Sequence, residues 1–410
     1  MTLQEQMNLE GQYVMPTFAR KEVEFVRGNG MYLEDASGKR YLDFLSGIGV
    51  CSLGHCHPAV VGALTSQAEK LIHVSNYFYI ENRGQLAEKL SELLEREVPE
   101  GQRTAWKTFF ANSGAEANEC AIKLARLAAR RRFEAEGKDP DTAPTLIITL
   151  VKSFHGRTLA TLAATGQSRL HQGFEPLPEG FLPTPINDVA ALRRLMETVG
   201  HSVCAIMMEP IQGESGVNPC TPEFLQEARR LSQEAHALLI LDEVQCGIFR
   251  TGRPFAFQAA GVIPDVVTMA KGIASGMPAG ACAARGAFGD VLQPGQHGST
   301  FGGSNLAVTV ALATVRELDR PEHCARIQQV GATFRGMLAD LSAIQSVRGE
   351  GLMVGADLQE GLSAPDITEA VLKAGLVVNA TSSSTLRFLP PLICEESHGR
   401  EAAETLASVL

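Results

Sequence analysis

Lys271 stands in TMAKGIASGMP, where an apolar run, DVVTMA (265–270), gives way to a chain of small residues. A cation at that point is either a solvated loop lysine or a reactive amine whose small neighbours leave room for a flat group beside it. Three carboxylates follow apolar runs in the same way: Asp242 and Glu243 after ALLIL (237–241), and Glu209 after CAIMM (204–208). In open α/β sheets ligands bind at the carboxyl ends of the strands, so polar residues there are where chemistry collects. Taken singly, each could cap a helix or pair with a surface lysine; Glu209 is left as an organiser of its strand end.

An anion site reads separately. ANSGAEAN (111–118) sets Ser113, Gly114 and Ala115 directly before a long helical pattern. Free N–H groups and the positive end of the helix dipole favour a phosphate there. Ser113 serves equally well as the N-cap of that helix, with Glu116 in its first turn. HGSTFGGSN (297–305) adds hydroxyls at Ser299 and Thr300. An imine-forming lysine, an aspartate at the bottom of a pocket and a phosphate cup together meet the needs of pyridoxal 5'-phosphate. The aspartate would keep the pyridine nitrogen protonated and the lysine would carry the cofactor as a Schiff base.

The elements that must hold these groups are strands and helices in alternation. TLIITLV (145–151), CAIMM, ALLIL and DVVTMA are continuous apolar runs, as expected of strands buried on both faces. Helical patterns lie between them at 115–133 and 222–236, the second with Thr221 as N-cap and Pro222 at its first position. The alternation predicts an α/β fold with a mainly parallel sheet flanked by helices. Residues 23–44 read as a small antiparallel meander, and the last hundred residues as a smaller α+β unit opened by a helix over 304–318.

At 410 residues and 45% hydrophobic content, the chain can bury a large core. A net charge of −10 with both signs spread along the chain argues against nucleic acid and against an anionic membrane surface. The expectation is a cytoplasmic protein with its nine cysteines as thiols, since neither a secretory leader nor a membrane-spanning run is read. Cys51, Cys56 and His57 lack the spacing of a zinc site, and no metal is expected. Arg130, Arg131 and Arg132 read as dipole-complementing residues late in an exposed helix.

YLDFLSGIGVCSLGHCHP, SGAEANE, FHGRTLA, EPIQGESGV, LDEVQCGIFRTG, AKGIASGMPAGA, GSTFGG and LRFLPPL occur in that order along nearly the whole chain. In these motifs the sequence resembles the class III, fold-type I pyridoxal-phosphate aminotransferases, most closely the acetylornithine and ornithine branch. The resemblance implies a large domain with a seven-stranded-type sheet over 55–305, and a small α+β domain built from both termini, 1–54 and 306–410.

It also implies roles. Lys271 and Asp242 are the catalytic pair, Gln245 bonds near the ring's phenolic oxygen, and Ser113, Gly114 and Ala115 form the phosphate cup. Thr300 adds a phosphate contact from the neighbouring subunit, Ser299 lies with it at the substrate site, and Phe154 stacks on the ring. Arg157 clamps the substrate α-carboxylate, and Glu214 covers Arg387 until a distal carboxylate displaces it. Asn76, Tyr77 and Phe78 of SNYFYIEN are expected to line the pocket. Ser304-Asn305 departs from the family pattern at the turn into the next helix.

The implied protein is a homodimer with shared active sites. It moves the distal amino group of N2-acetyl-L-ornithine to 2-oxoglutarate by a ping-pong route, as in arginine biosynthesis, with Lys271 carrying the proton. Ornithine, succinylornithine, succinyldiaminopimelate and 4-aminobutyrate are rival donors. An aminomutase and a non-catalytic protein that keeps the fold are rivals of other classes; Glu214 with Arg387, and Lys271 with Asp242, weigh against them.

Overall fold

The four apolar runs become adjacent parallel strands, Leu146–Leu150, Val203–Met208, Leu238–Asp242 and Val266–Met269, in a computed structural model that describes all 410 residues. They sit within a seven-stranded sheet. Its order by residue range is 106–111, 280–285, 266–269, 238–242, 203–208, 146–150 and 181–184. Gly280–Arg285 alone runs against the others. This is the expected α/β architecture.

Continuity of the apolar runs follows from burial on both faces. Ala205, Met207 and Ile240 join the core beneath the helix Gly114–Ala135, while their neighbours Ile206, Met208 and Leu241 join the opposite core with Phe224 and Val308. Side chains on a strand alternate between faces, so both sets must be apolar. The three strands that carry no such signal have local reasons. Phe181–Thr184 contains Pro183 and lies on a sheet edge, where a missing N–H is tolerated. Gly280–Arg285 is rich in small residues of low strand preference, and pairing on both sides imposes its form. Trp106–Ala111 interrupts its apolar residues with Lys107 and Thr108.

Helix starts follow their caps. Thr221 Oγ1 accepts from Phe224 N at 3.2 Å ahead of the helix Pro222–Glu234. Ser304 caps Asn305–Leu318 through Ala307 N at 3.5 Å, so the departure from the family pattern supplies a helix cap.

Residues 25–29, 32–35 and 40–43 form the antiparallel meander, and Leu376–Val377 joins it in parallel beside Arg40–Asp43. The two ends of the chain therefore share one sheet. A further antiparallel sheet places Ile344–Glu350, Met353–Leu358, Thr385–Phe388 and Asn379–Ala380 side by side, and it carries Arg387. No helix is long and apolar enough to cross a membrane.

Candidate active site

Asp242 ends the central strand of the large sheet, and Glu209 and Lys271 follow the strands on either side of it. A cavity of about 440 Å³ opens there, and Ser113, Phe154, Arg157, Glu214 and Gln245 reach its wall from other elements. A larger open groove, about 1120 Å³ along residues 25–34 and His398, contains none of the candidate residues.

Lys271 has a φ of 45°, in the left-handed region that a side chain bearing a Cβ seldom adopts. The turn is fixed by Ser52 Oγ donating to Gly272 O at 2.8 Å and by Leu53 N donating to Ser275 Oγ at 3.0 Å. Burial lowers the pKa of the Lys271 amine and prevails over the attraction of Glu214, whose Oε1 is 3.9 Å from Nζ.

Asp242 is held by a network. Its Oδ2 accepts from Asn118 Nδ2 at 2.8 Å and lies 2.7 Å from His155 Nδ1; its Oδ1 accepts from Val244 N at 3.0 Å. Asn118 also donates to His155 O at 2.8 Å and accepts from Thr268 Oγ1 at 2.6 Å. Burial alone would lower the pKa of His155, but the hydrogen bond and charge of Asp242 outweigh it and the net shift is upward. Asn118, His155 and Thr268 were not singled out from the sequence, although Asn118 and His155 lie inside the quoted SGAEANE and FHGRTLA. A polar residue on the buried face of the helix 114–135 was the available signal.

Of the neighbouring carboxylates, Glu209 lines the cavity and Glu243 does not. Glu243 is fully buried behind the pocket and accepts from Phe257 N at 2.8 Å and Ala256 N at 3.0 Å. Glu209 accepts from Phe154 N at 2.8 Å and Gly213 N at 3.2 Å, and burial pushes it up to about 7. It thereby fixes the backbone of Phe154, as the organising reading expects. Arg157 is exposed on the pocket wall, its Cζ 5.6 Å from the Phe154 ring centre.

Arg387 is fully buried. Its Nη1 donates to Glu214 Oε1 at 2.8 Å, Gln245 Oε1 at 3.0 Å and Gly213 O at 3.0 Å. Gln245 Nε2 also donates to Glu214 Oε1 at 2.9 Å, so the amide bridges the pair. Burial works to raise the Glu214 pKa, but Arg387 and Lys271 hold it down at about 2.

Ser113, Gly114 and Ala115 lie on the wall at the start of the helix. Ser113 Oγ accepts from Glu116 N at 3.2 Å, so the N-cap reading holds at this position. The N–H groups of Gly114 and Ala115 open the helix and have no acceptor within it.

Ser299 and Thr300 are off the wall of their own chain. Ser299 Oγ is committed to Asn112 Nδ2 at 3.0 Å and Gly302 N at 3.1 Å, and Thr300 is exposed. Asn76, Tyr77 and Phe78 are also off the wall of their own chain. Asn76 donates to Ser299 O at 2.9 Å and Gly302 O at 3.1 Å, while Tyr77 and Phe78 face outward. The sequence pattern carries no information on which way this short segment turns.

These residues fit pyridoxal phosphate. A Cβ at Gly114 would come within 2.7 Å of Val244 Cγ1, so only glycine keeps the cradle open beside the two free N–H groups. An amine of lowered pKa, a clamped aspartate and an aromatic face line the same cavity. Such a site at the carboxyl ends of a mainly parallel sheet defines a pyridoxal-phosphate enzyme. The family model for aminotransferase class-III matches residues 17–410, and the chain belongs to that family.

It is 43% identical over 408 residues to the acetylornithine aminotransferase of Caldanaerobacter subterraneus subsp. tengcongensis, covering 98% of each chain. It is 43% identical over 396 residues to that of Methanocaldococcus jannaschii, covering 96% of this chain and 94% of the relative. Among solved structures, the ornithine aminotransferase of Toxoplasma gondii ME49 superposes with a TM-score of 0.90 at 31% identity, covering 100% of this chain and 95% of the other. The N-acetylornithine aminotransferase of Stenotrophomonas maltophilia K279a superposes with a TM-score of 0.81 at 33% identity, covering 98% of each.

Proposed function

We propose that the protein transfers the distal amino group of N2-acetyl-L-ornithine to 2-oxoglutarate, as a cytoplasmic enzyme of arginine biosynthesis. The observation that carries this reading is the covered arginine. Arg387 is buried, paired with Glu214 and set beside Lys271, which suits a site that admits a donor with one free carboxylate and then an acceptor with two. Leaving Arg387 unpaired between the two would be costly, so a movable carboxylate resolves the conflict. The names of the relatives support the choice of donor. Free ornithine is the second reading, favoured by the likeness to the Toxoplasma structure.

Pyridoxal phosphate supplies, when bound, an electron sink for the bond that ionises beside the donor nitrogen. The chain's own groups hold and move the rest. Ser113, Gly114 and Ala115 would take the phosphate, Asp242 the pyridine nitrogen and Gln245 the phenolic oxygen, while Phe154 would press on the ring. Arg157 would hold the α-carboxylate as a bidentate fork. Lys271 would bond the cofactor at rest and, once released, carry a proton between the donor carbon and the cofactor carbon.

The active unit in this reading is a homodimer. Ile72, Tyr77, Phe78, Tyr79 and Phe301 leave a large apolar surface in water next to Thr300, which suits a partner that covers them and receives Thr300 as a phosphate ligand. Within each chain, 55–305 would hold the cofactor, and 1–54 with 306–410 would form the smaller domain. Steady-state glutamate formation with each donor tests the reading. A kcat/KM for N-acetylornithine well above that for ornithine supports it, and the reverse order selects the second reading.

A further inference from the structure

Arg387 and Asn379 face each other across two antiparallel strands, Thr385–Phe388 and Asn379–Ala380, as a direct register pair. Arg387 Nε donates to Asn379 Oδ1 at 3.2 Å. On the far side of the guanidinium, Nη1 is satisfied by Glu214, Gln245 and Gly213 O, whereas Nη2 is buried and has no partner. The fork thus has one edge pinned, one nitrogen covered by the Glu214 carboxylate, and one nitrogen without a partner.

We propose that Asn379 is a specificity-determining positioning residue, holding the Nε edge of Arg387 so that only the Nη1–Nη2 end of the fork is offered to a distal carboxylate. This rests on the reading of Arg387 as the anchor for the second carboxylate of the keto acid. A carboxylate that takes the place of Glu214 meets Nη1 and finds Nη2 free, the two-point geometry that a planar guanidinium makes best. Without Asn379 the Nε edge would be an equally good docking edge, and its buried N–H would lack an acceptor.

The residue type matters as well as the place. An amide oxygen satisfies Nε while leaving the positive charge of Arg387 uncompensated on that side. A carboxylate at 379 would satisfy Nε too, but would compete with the substrate for the same charge. Asn379 is needed whether Glu214 covers Arg387 or has left it, whereas Glu214 is needed only in the covered state.

The test uses holoenzyme and two acceptors, 2-oxoglutarate and pyruvate, the second lacking the distal carboxylate, together with calorimetric binding of glutarate. In Asn379→Ala the ratio of kcat/KM for 2-oxoglutarate to that for pyruvate should fall about 10–100-fold, with glutarate binding weakened in step. Asn379→Asp should lower the ratio as well, through charge competition, with kcat/KM for pyruvate falling far less than that for 2-oxoglutarate. If both acceptors lose activity equally in both variants, or the ratio and glutarate binding are unchanged, Asn379 is a structural residue and the proposal is overturned. Arg387→Ala separates the levels. A collapsed ratio there with an unchanged ratio in the Asn379 variants overturns this inference alone, and an unchanged ratio there overturns the reading beneath it as well.

Discussion

Glu214 Oε1 lies 2.8 Å from Arg387 Nη1 and 3.9 Å from Lys271 Nζ, so one carboxylate faces both the buried guanidinium and the reactive amine. Hydrogen bonds to charged groups contribute about 1.5–3 kcal/mol. Arg387→Ala should therefore raise the KM for 2-oxoglutarate about 10–100-fold while leaving that for the amino donor nearly unchanged. Steady-state kinetics with each substrate varied in turn checks this, and equal rises in both KM values would remove Arg387 from the acceptor site.

Lys271→Ala should keep the fold, because the side chain lies on a pocket wall rather than in the core. Loss of proton transfer alone should lower turnover by about 10²–10⁴-fold. Circular dichroism and glutamate formation measured on the same sample separate the two effects. A folded variant with normal turnover would rule out Lys271 as the proton carrier.

The His155 pKa is raised above its ordinary 6.5 by Asp242, so the folded state holds a proton that the unfolded chain gives up near pH 6.5. That contribution to stability is complete below pH 6.5 and is lost as pH rises through the higher folded value. Denaturant unfolding of the cofactor-free protein from pH 6 to 9 should show the decline, and His155→Gln should flatten it. Parallel curves for the two proteins would mean that the pair contributes nothing.

Gly114→Ala would set a methyl within 2.7 Å of Val244, which itself lines the cavity. Overpacking of this kind costs about 1–3 kcal/mol, taken up here by Val244 moving into the cofactor's space. Cofactor affinity should fall, and Val244→Ala in the same chain should restore part of it. Failure of the second change to help would place the strain elsewhere.

The sequence makes Lys271 and Asp242 legible because each follows a run whose burial on both faces leaves it uniformly apolar, and the Ser113–Ala115 turn legible because it directly precedes a long helical pattern. What lies behind them was less visible. Asn118 and His155 lock Asp242 from a helix and a loop, and polar residues in those settings look like any surface position until the sheet brings them together. Asp242 and Glu243 are adjacent in sequence and follow the same apolar run, yet Asp242 lines the cavity and Glu243 anchors the turn at 256–257. Gly280–Arg285 carries no strand signal of its own because its strand form comes from pairing with its neighbours. The outward turn of Tyr77 and Phe78 depends on tertiary contacts through Asn76 that no local pattern encodes.

The most direct measurement is a half-reaction. Holoenzyme without keto acid is mixed separately with N-acetylornithine, ornithine and 4-aminobutyrate, and the cofactor absorbance is followed. Rapid loss with N-acetylornithine alone, reversed by 2-oxoglutarate, is the predicted result. Rapid loss only with another amine, or no recovery with 2-oxoglutarate, would contradict the assignment of donor or acceptor.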